Sequence, residues 1–253
     1  MQKFSLKQIE QVVSIVEKLF AEHVLGIYLY GSYALGGLQI NSDIDILVIL
    51  DKEILQPVRE ELTKELLLIS GKINCKEKRC LEVTVVNCND IISQKFPLKC
   101  EYMYGEWLRE DIEAGKIPQA YYEGDLTILL WQARKHNILL TGKNALDLIP
   151  SISNEEVKSA IQTVLPSLLE GVHGDERNTL LTLARMWYTL ETYDICSKNI
   201  AAEWTLPKLP KDLKGLMILA IKGYLGECTD NWTDKDKELI RLVDFLKIKI
   251  ENY

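Results

Sequence analysis

The hydrophobic pattern of this chain changes character partway along its length. In roughly the first hundred residues, short β-branched and aromatic runs at 24–30, 43–50 and 80–86 alternate with helical stripes at 5–21 and 55–69. Beyond about Tyr122 only helical spacing recurs, at 126–137, 154–170, 177–192, 213–225 and 234–251. A two-residue repeat indicates a strand and a 3.6-residue repeat a helix. We therefore predict an α/β N-terminal part, a mixed sheet with helices, followed by an all-α helical bundle.

Two polar breaks mark the candidate domain boundary. The segment 141–144 reads Thr-Gly-Lys-Asn, and the segment 150–154 reads Pro-Ser-Ile-Ser-Asn. Ser153 or Asn154 can cap the following helix, which carries Glu155 and Glu156 in its first turn, where carboxylates are favoured. The sequence thus predicts one domain over residues 1–150 and a helical C-terminal domain over residues 151–253.

Charge and cysteine usage exclude several classes of protein. The chain of 253 residues carries 37 acidic and 30 basic side chains, a net charge of −7, and the excess of acid is present in both halves. Nucleic-acid binding normally requires a basic surface, and no apolar run approaches the length of a membrane span. The six cysteines form no C-x-x-C pair, which favours reduced thiols. We expect a cytoplasmic protein that binds neither nucleic acid nor membrane.

Asp43 and Asp45 lie two residues apart on an apolar predicted strand. Alternation places both carboxylates on one face, with Ile44 and Ile46 on the other. Two such acids are costly without a compensating cation, and hard oxygen ligands at this spacing suit Mg²⁺. The alternative is a solvent-facing strand that happens to carry two acids.

A Gly-Ser pair precedes these acids and favours the metal interpretation. Gly31 and Ser32 end the preceding strand, where a glycine lets the backbone approach a phosphate and the hydroxyl can donate to it. The complete pattern is G-S-x10-D-x-D, and Glu82 on the next predicted strand supplies a third acid. This arrangement resembles the nucleotidyltransferase superfamily typified by DNA polymerase beta.

Further motifs narrow the resemblance. They span both parts of the chain in order, and they are Tyr-Leu-Tyr-Gly-Ser-Tyr-Ala-Leu-Gly-Gly-Leu at 28–38, Asn-Ser-Asp-Ile-Asp at 41–45, Leu-Glu-Val-Thr-Val at 81–85, Tyr-Gly-Glu-Trp-Leu-Arg at 104–109, Gly-Asp-Glu-Arg-Asn at 174–178, Thr-Leu-Ala-Arg-Met-Trp at 182–187 and Ala-Ala-Glu-Trp at 201–204. Together they resemble the aminoglycoside adenylyltransferases, which inactivate spectinomycin and, in one branch, streptomycin.

The resemblance implies Mg²⁺-dependent transfer of AMP from ATP to the 9-hydroxyl of spectinomycin, with release of pyrophosphate and antibiotic resistance as the result. It makes Asp43 and Asp45 the metal ligands and Glu82 the catalytic base. Contacts to the nucleotide are implied for Ser32, Ser42, Asp125, Arg185, Lys198 and Tyr224. The two cations of this set suit phosphate charge.

The resemblance also assigns residues to the drug. Trp107 offers a flat apolar face, Asp175 can pair with a protonated amine, and Asn178 is a polar neighbour that can reach the same ligand. Glu106 is a second candidate carboxylate for the amine. Two structural alternatives stay open, because Trp107 can instead fill the core and Asp175 can instead cap the helix that follows it.

The sequence also bears on which drugs the protein modifies and on its alternative targets. Family members that also modify streptomycin carry a Trp and an Asp at two positions before the Gly-Asp-Glu-Arg-Asn motif. This chain has Pro166 and Gly171 there. Because the resemblance ties streptomycin binding to that Trp and Asp, we expect spectinomycin alone to be modified. The alternatives are a dual spectinomycin and streptomycin enzyme, a nucleotidyltransferase with another target, and a non-catalytic module of the same fold. We expect a monomer.

Overall fold

The computed structural model describes residues 2–36, 39, 42–73, 75, 77–93 and 95–253, without the side chains of residues 2–4. Two compact units are present, residues 2–36 and 42–152 forming the first and residues 153–253 the second. The first contains α1 (Gln2–Phe20), β1 (Val24–Leu29), α2 (Gly31–Ala34), β2 (Ile44–Leu50), α3 (Gln56–Ile69), β3 (Leu81–Asn87), α4 (Cys88–Ile92), β4 (Leu98–Cys100), β5 (Tyr102–Tyr104), α5 (Arg109–Glu113), β6 (Tyr121–Glu123), α6 (Asp125–Lys135), β7 (Ile138–Gly142) and α7 (Ala145–Leu148).

The main sheet of the first unit has the strand order β5-β3-β2-β1-β7. Its two central strands, β2 and β3, run parallel, whereas β1 pairs antiparallel with β2 and with β7, and β3 pairs antiparallel with β5. Strands β4 and β6 form a separate antiparallel pair. The predicted mixed sheet with helices is confirmed.

Strand β2 is buried on both faces. Ile44 and Ile46 pack into a cluster with apolar residues of α1 and α3, and Leu47 and Ile49 pack into a second cluster with residues of α6 and α7. A strand covered on both sides needs a nearly continuous apolar run. Asp45 is the exception within this run, since it is only half-buried.

The prediction that strands end before Tyr122 was wrong at β7. The polar segment 141–144 is not a break between elements, because Thr141 and Gly142 pair with Ile27 and Gly26 of β1. As an edge strand, β7 leaves Ile138 and Leu139 substantially exposed, so it lacks the buried apolar pattern that identified the central strands. The short strands β4, β5 and β6 gave no separate signal either.

The second unit is helical, as predicted. It contains α8 (Asn154–Glu170), α9 (Glu176–Thr192), α10 (Lys198–Thr205), α11 (Lys214–Leu225) and α12 (Asp236–Glu251), and α9 packs against the other four. Trp187 of α9 makes edge-to-face contacts with Trp204 and Phe245, a geometry that aromatic rings prefer. Among the described residues, no helix is both long enough and apolar enough to cross a membrane.

The second unit begins with a capping box. The Ser153 hydroxyl accepts a hydrogen bond from the Glu156 amide at 3.2 Å, and the Glu156 carboxylate accepts one from the Ser153 amide at 2.8 Å. This confirms Ser153 as the predicted cap of α8. Two amides at the helix start are thereby satisfied.

Replacing Ser153 with Ala is expected to lower the free energy of unfolding by about 1 kcal/mol, because the cap is lost. Thermal unfolding followed by circular dichroism measures the change, and Ser159→Ala on an exposed position of the same helix is the matched control. Equal stability of the two variants would contradict the capping role.

The effect of Ser153→Ala also depends on pH. Hydrogen bonds from Ser153 lower the pKa of the Glu156 carboxyl below its usual value. A depressed carboxyl pKa stabilises the fold above the unfolded-state pKa, and this contribution is lost as pH falls through the folded-state value. We therefore expect the difference between the parent protein and the Ser153→Ala variant to narrow in acid.

Candidate active site

The turn after β1 has no room for a side chain at Gly31. This residue has φ of +61°, in the left-handed region that favours glycine, and a Cβ built on it would overlap the Asp45 carboxylate. The next amide, of Ser32, donates to Asp45 Oδ2 at 3.3 Å. The Ser32 hydroxyl is buried and has no hydrogen-bond partner among the residues that the structure describes. Because an unsatisfied buried hydroxyl is costly, this group is suited to a ligand oxygen.

The three predicted acids converge on neighbouring strands. Asp45 of β2 and Glu82 of β3 are direct register partners in the parallel pair, so both side chains leave the same face of the sheet. Neighbouring strands lie about 4.8 Å apart. Asp43 immediately precedes β2, and all three acids are half-buried. Carboxylates this close repel one another, so a shared cation would stabilise them.

These residues fit a magnesium ion that completes its coordination with substrate. Within the described part of the chain, no three His, Cys, Asp or Glu side chains form a ready metal-holding group. Mg²⁺ does not require one, because it commonly binds one or two carboxylates and takes water and phosphate oxygens for the rest. Asp43 and Asp45 as its protein ligands remain a prediction.

Tyr30 is a neighbour of the acids that sequence reasoning missed. Its hydroxyl donates to Glu82 Oε1 at 3.1 Å, and its side chain is buried. Burial, followed by the nearby charges of Glu82 and Asp45, raises the pKa of Tyr30 well above its usual value. The phenol therefore stays protonated and can donate. Its place directly before Gly31 was the only signal in the sequence.

Arg79 lies near Asp43 and is a second residue that sequence reasoning missed. Its Nη1 donates to the Ser42 carbonyl oxygen at 2.7 Å. Burial lowers the pKa of Arg79, and the Asp43 carboxylate opposes that shift. Burial and the same carboxylate raise the pKa of Cys80 to about 12, which keeps the thiol neutral. Arg79 thus places a positive charge near the Asp43 carboxylate.

Trp107 is exposed, whereas its neighbour Glu106 belongs to a buried ion pair with Arg109. The indole is 58% exposed, so the core-filling alternative is wrong. Glu106 is buried and accepts hydrogen bonds from Arg109 Nη2 at 3.2 Å and Ser70 Oγ at 2.8 Å. The suggestion that Glu106 faces a drug amine is therefore wrong. A Cβ on Gly105 would overlap the indole, so the absence of a side chain at this position leaves room for the ring.

The remaining residues predicted for the nucleotide lie on separate elements of the two units. Asp125 is the exposed first residue of α6, in the first unit. Arg185 is half-buried on α9 and Tyr224 is half-buried on α11, both in the second unit. Their roles toward the nucleotide remain predictions.

Asn178 connects two of the other predicted residues. Its side-chain amide donates to Asp175 Oδ2 at 2.8 Å, and its Oδ1 accepts from Lys198 Nζ. Asp175 occupies the N-cap position of α9, but its carboxylate makes no capping hydrogen bond. The capping alternative for Asp175 is therefore not supported, and its carboxylate is held by Asn178 instead.

The segment after Asp175 is anchored by an ion pair that sequence reasoning did not find. Arg177 Nη1 lies 3.0 Å from Asp230 Oδ1, and Trp232 Nε1 donates to Asp230 Oδ2 at 3.0 Å. A Cβ on Gly223 would crowd the Asp230 carboxylate. Asp230 thereby links the start of α9 to the end of α11. Its distance from Arg177 in the sequence hid this contact.

Two protein families match the chain. Residues 9–107 match the nucleotidyltransferase domain, and residues 147–249 match the C-terminal domain of aminoglycoside adenylyltransferases.

Individual relatives match over nearly the whole chain. A spectinomycin 9-adenylyltransferase from Campylobacter jejuni is 50% identical, covering 97% of this chain and 95% of its own. An aminoglycoside (3'') (9) adenylyltransferase from Escherichia coli is 35% identical, covering 96% and 94%. The crystal structure of spectinomycin adenyltransferase AAD(9) from Enterococcus faecialis with ATP and spectinomycin superposes with a TM-score of 0.92 at 32% identity, covering 98% of this chain and 99% of that one.

Proposed function

Because the chain belongs to the aminoglycoside adenylyltransferase family, we propose that it transfers AMP from ATP to the 9-hydroxyl of spectinomycin and releases pyrophosphate. The observation that carries this proposal is the pairing of Asp45 with Glu82 beside the Gly31-Ser32 turn. A relative of known structure was crystallised with both ATP and spectinomycin. The resulting modification would inactivate the drug and confer resistance.

Glu82 is the proposed general base. Its carboxylate takes the proton from the drug hydroxyl, whose oxygen then bonds to the α-phosphorus of ATP while the bond from that phosphorus to the pyrophosphate oxygen breaks. Asp43 and Asp45 would hold Mg²⁺, which when bound neutralises phosphate charge and stabilises the leaving group. The fixed position of both strands in the sheet keeps the base and the metal ligands in register.

The residues proposed for the nucleotide supply donors and charge. Ser32 brings a buried hydroxyl that has no hydrogen-bond partner among the described residues, and this hydroxyl could donate a hydrogen bond to a phosphate oxygen. Ser42 lies beside Asp43 and is held by Arg79. The further proposed contacts to ATP are made by Asp125, Arg185, Lys198 and Tyr224.

The residues proposed for the drug combine an apolar surface with a carboxylate. The exposed indole of Trp107 can pack against a ring of spectinomycin. Asp175 can pair with a protonated amine, and its hydrogen bond from Asn178 fixes the carboxylate that would do so. A basic drug also suits a protein of net charge −7.

We infer that streptomycin is not a useful substrate. Pro166 lies inside α8, and Gly171 is its C-cap residue, a few residues before Asp175. Neither residue has a side chain that can hydrogen-bond or pair with a cation. A drug that depends on such contacts would therefore bind poorly here.

An assay with ATP, Mg²⁺ and either drug tests both parts of the proposal. We expect mass spectrometry to detect an AMP adduct of spectinomycin together with released pyrophosphate. Streptomycin turnover should be lower by at least about 10²-fold, since two polar contacts to a charged drug are absent and each would contribute about 1.5–3 kcal/mol. Modification of streptomycin at an equal rate would favour the dual-specificity alternative. No adduct with either drug would favour another target or a non-catalytic module.

We further propose that residues 1–150 act as the nucleotidyltransferase domain and residues 151–253 as the helical C-terminal domain. The two compact units, which meet at Ile152 and Ser153 in the sequence, support this division. That the protein acts as a monomer without a nucleic-acid or membrane partner stays a prediction.

A further inference from the structure

The hydroxyl of Tyr30 donates a hydrogen bond to Glu82, the proposed general base. Tyr30 follows β1 and is 5% exposed, and its hydroxyl lies 3.1 Å from Glu82 Oε1. Since an ionised carboxylate can only accept, the phenol is the donor. The two residues are 52 positions apart in the chain, so this contact exists only because β1, β2 and β3 lie side by side.

The hydrogen bond from Tyr30 restricts the orientation of the Glu82 carboxylate. A glutamate side chain has several rotatable bonds, and Glu82 is only half-buried. The Asp45 carboxylate at the paired position repels it. A base must lie within hydrogen-bond reach of the proton that it removes, so free rotation of this carboxylate would reduce the rate.

Tyr30 itself is held rigidly. Its ring packs in the apolar cluster that includes Tyr28, Leu47, Leu126 and Leu130. The donor is thus fixed by the core rather than by substrate. This is the preorganised support that a catalytic side chain requires.

We propose that Tyr30 is a positioning residue, which fixes the Glu82 carboxylate for proton abstraction without touching either substrate. This inference rests on the proposed function, because it assigns Tyr30 to the same reaction. It predicts that loss of the Tyr30 hydroxyl lowers kcat only by disturbing the Glu82 carboxylate.

The test is Tyr30→Phe, which removes the hydroxyl and keeps the buried ring. We expect kcat to fall by about 10- to 100-fold, as for loss of a hydrogen bond to a charged group, while KM for ATP and for spectinomycin changes by less than about twofold, since no interaction shared by ground and transition state is lost. In a Glu82→Gln background, Tyr30→Phe should change the residual rate by less than about threefold, since residues that act as a unit are not additive.

Tyr28→Phe is the matched control. Tyr28 lies two residues earlier, packs in the same cluster, and donates to the Lys143 carbonyl oxygen at 2.6 Å, with no contact to Glu82 in the described hydrogen bonds. We expect this variant to lose stability comparable to that lost by Tyr30→Phe but to keep the parent kcat. Calorimetric binding of ATP to both variants shows that the site is formed.

Three results would overturn the inference. The first is an unchanged kcat in Tyr30→Phe while Glu82→Gln loses activity, which leaves the proposed function intact. The second is an equal loss of kcat in Tyr28→Phe or an undiminished effect of Tyr30→Phe in the Glu82→Gln background, since either indicates a structural role. The third is full activity of Glu82→Gln, which overturns the proposed base together with the role of Tyr30.

Discussion

Replacing Glu82 with Gln is expected to reduce AMP transfer to spectinomycin by about 10²- to 10⁴-fold, the contribution typical of a general base. Gln has nearly the same shape and can keep its place beside Asp45, but it cannot take up the proton of the drug hydroxyl. Binding of ATP should persist, since the Gly31-Ser32 turn and both aspartates are untouched. Steady-state turnover with spectinomycin and calorimetric binding of ATP measure the two quantities separately.

The control for this change is Glu10→Gln, which makes the same substitution on an exposed position of α1. It should leave turnover unchanged. Parent-like turnover in Glu82→Gln would remove Glu82 from the mechanism and would favour deprotonation of the drug by another group. Loss of ATP binding in that variant would instead assign Glu82 to the nucleotide site.

Replacing Gly31 with Ala is expected to reduce turnover by at least about 10²-fold. The added Cβ would overlap the Asp45 carboxylate, so that side chain must move, and small displacements of a catalytic group are enough for such a loss. The left-handed φ of +61° adds strain of about 1–2 kcal/mol for a residue with a side chain. Turnover and thermal stability should both be measured, because the overlap and the strain act on different quantities.

Gly115→Ala separates these two effects. Gly115 has φ of +91°, but a Cβ there would meet nothing within 4 Å. This control should lose stability through strain and retain turnover. A Gly31→Ala variant that kept full turnover would show that the position of the Asp45 carboxylate is not required.

Local patterns accounted for much of the fold. The central strands β2 and β3 and the long helix α8 were predicted close to their observed bounds, because each carries its own periodicity within a single segment. The edge strand β7 was missed because its pairing with β1 is a long-range contact and its exposed side chains give no buried pattern.

The same distinction applies to the candidate site. The spacing of Gly31-Ser32 and Asp43-x-Asp45 indicated a site for magnesium and nucleotide phosphate. Residue types and close spacing can be recognised in the sequence because they are local properties. The partners of those residues were not visible there. Glu106 illustrates the limit, because a carboxylate next to a predicted drug residue belongs to a buried ion pair with Arg109.

The sequence by itself determined the central strands and the long helices of this protein, the acids and the glycine turn, and the motifs of its family. Only the tertiary structure decided that Asp45 and Glu82 are register partners, that Tyr30 donates to Glu82, and that Asn178 joins Asp175 to Lys198. Strand register and side-chain hydrogen bonds between distant residues depend on how the elements pack together, and periodicity along one segment carries no information about that packing.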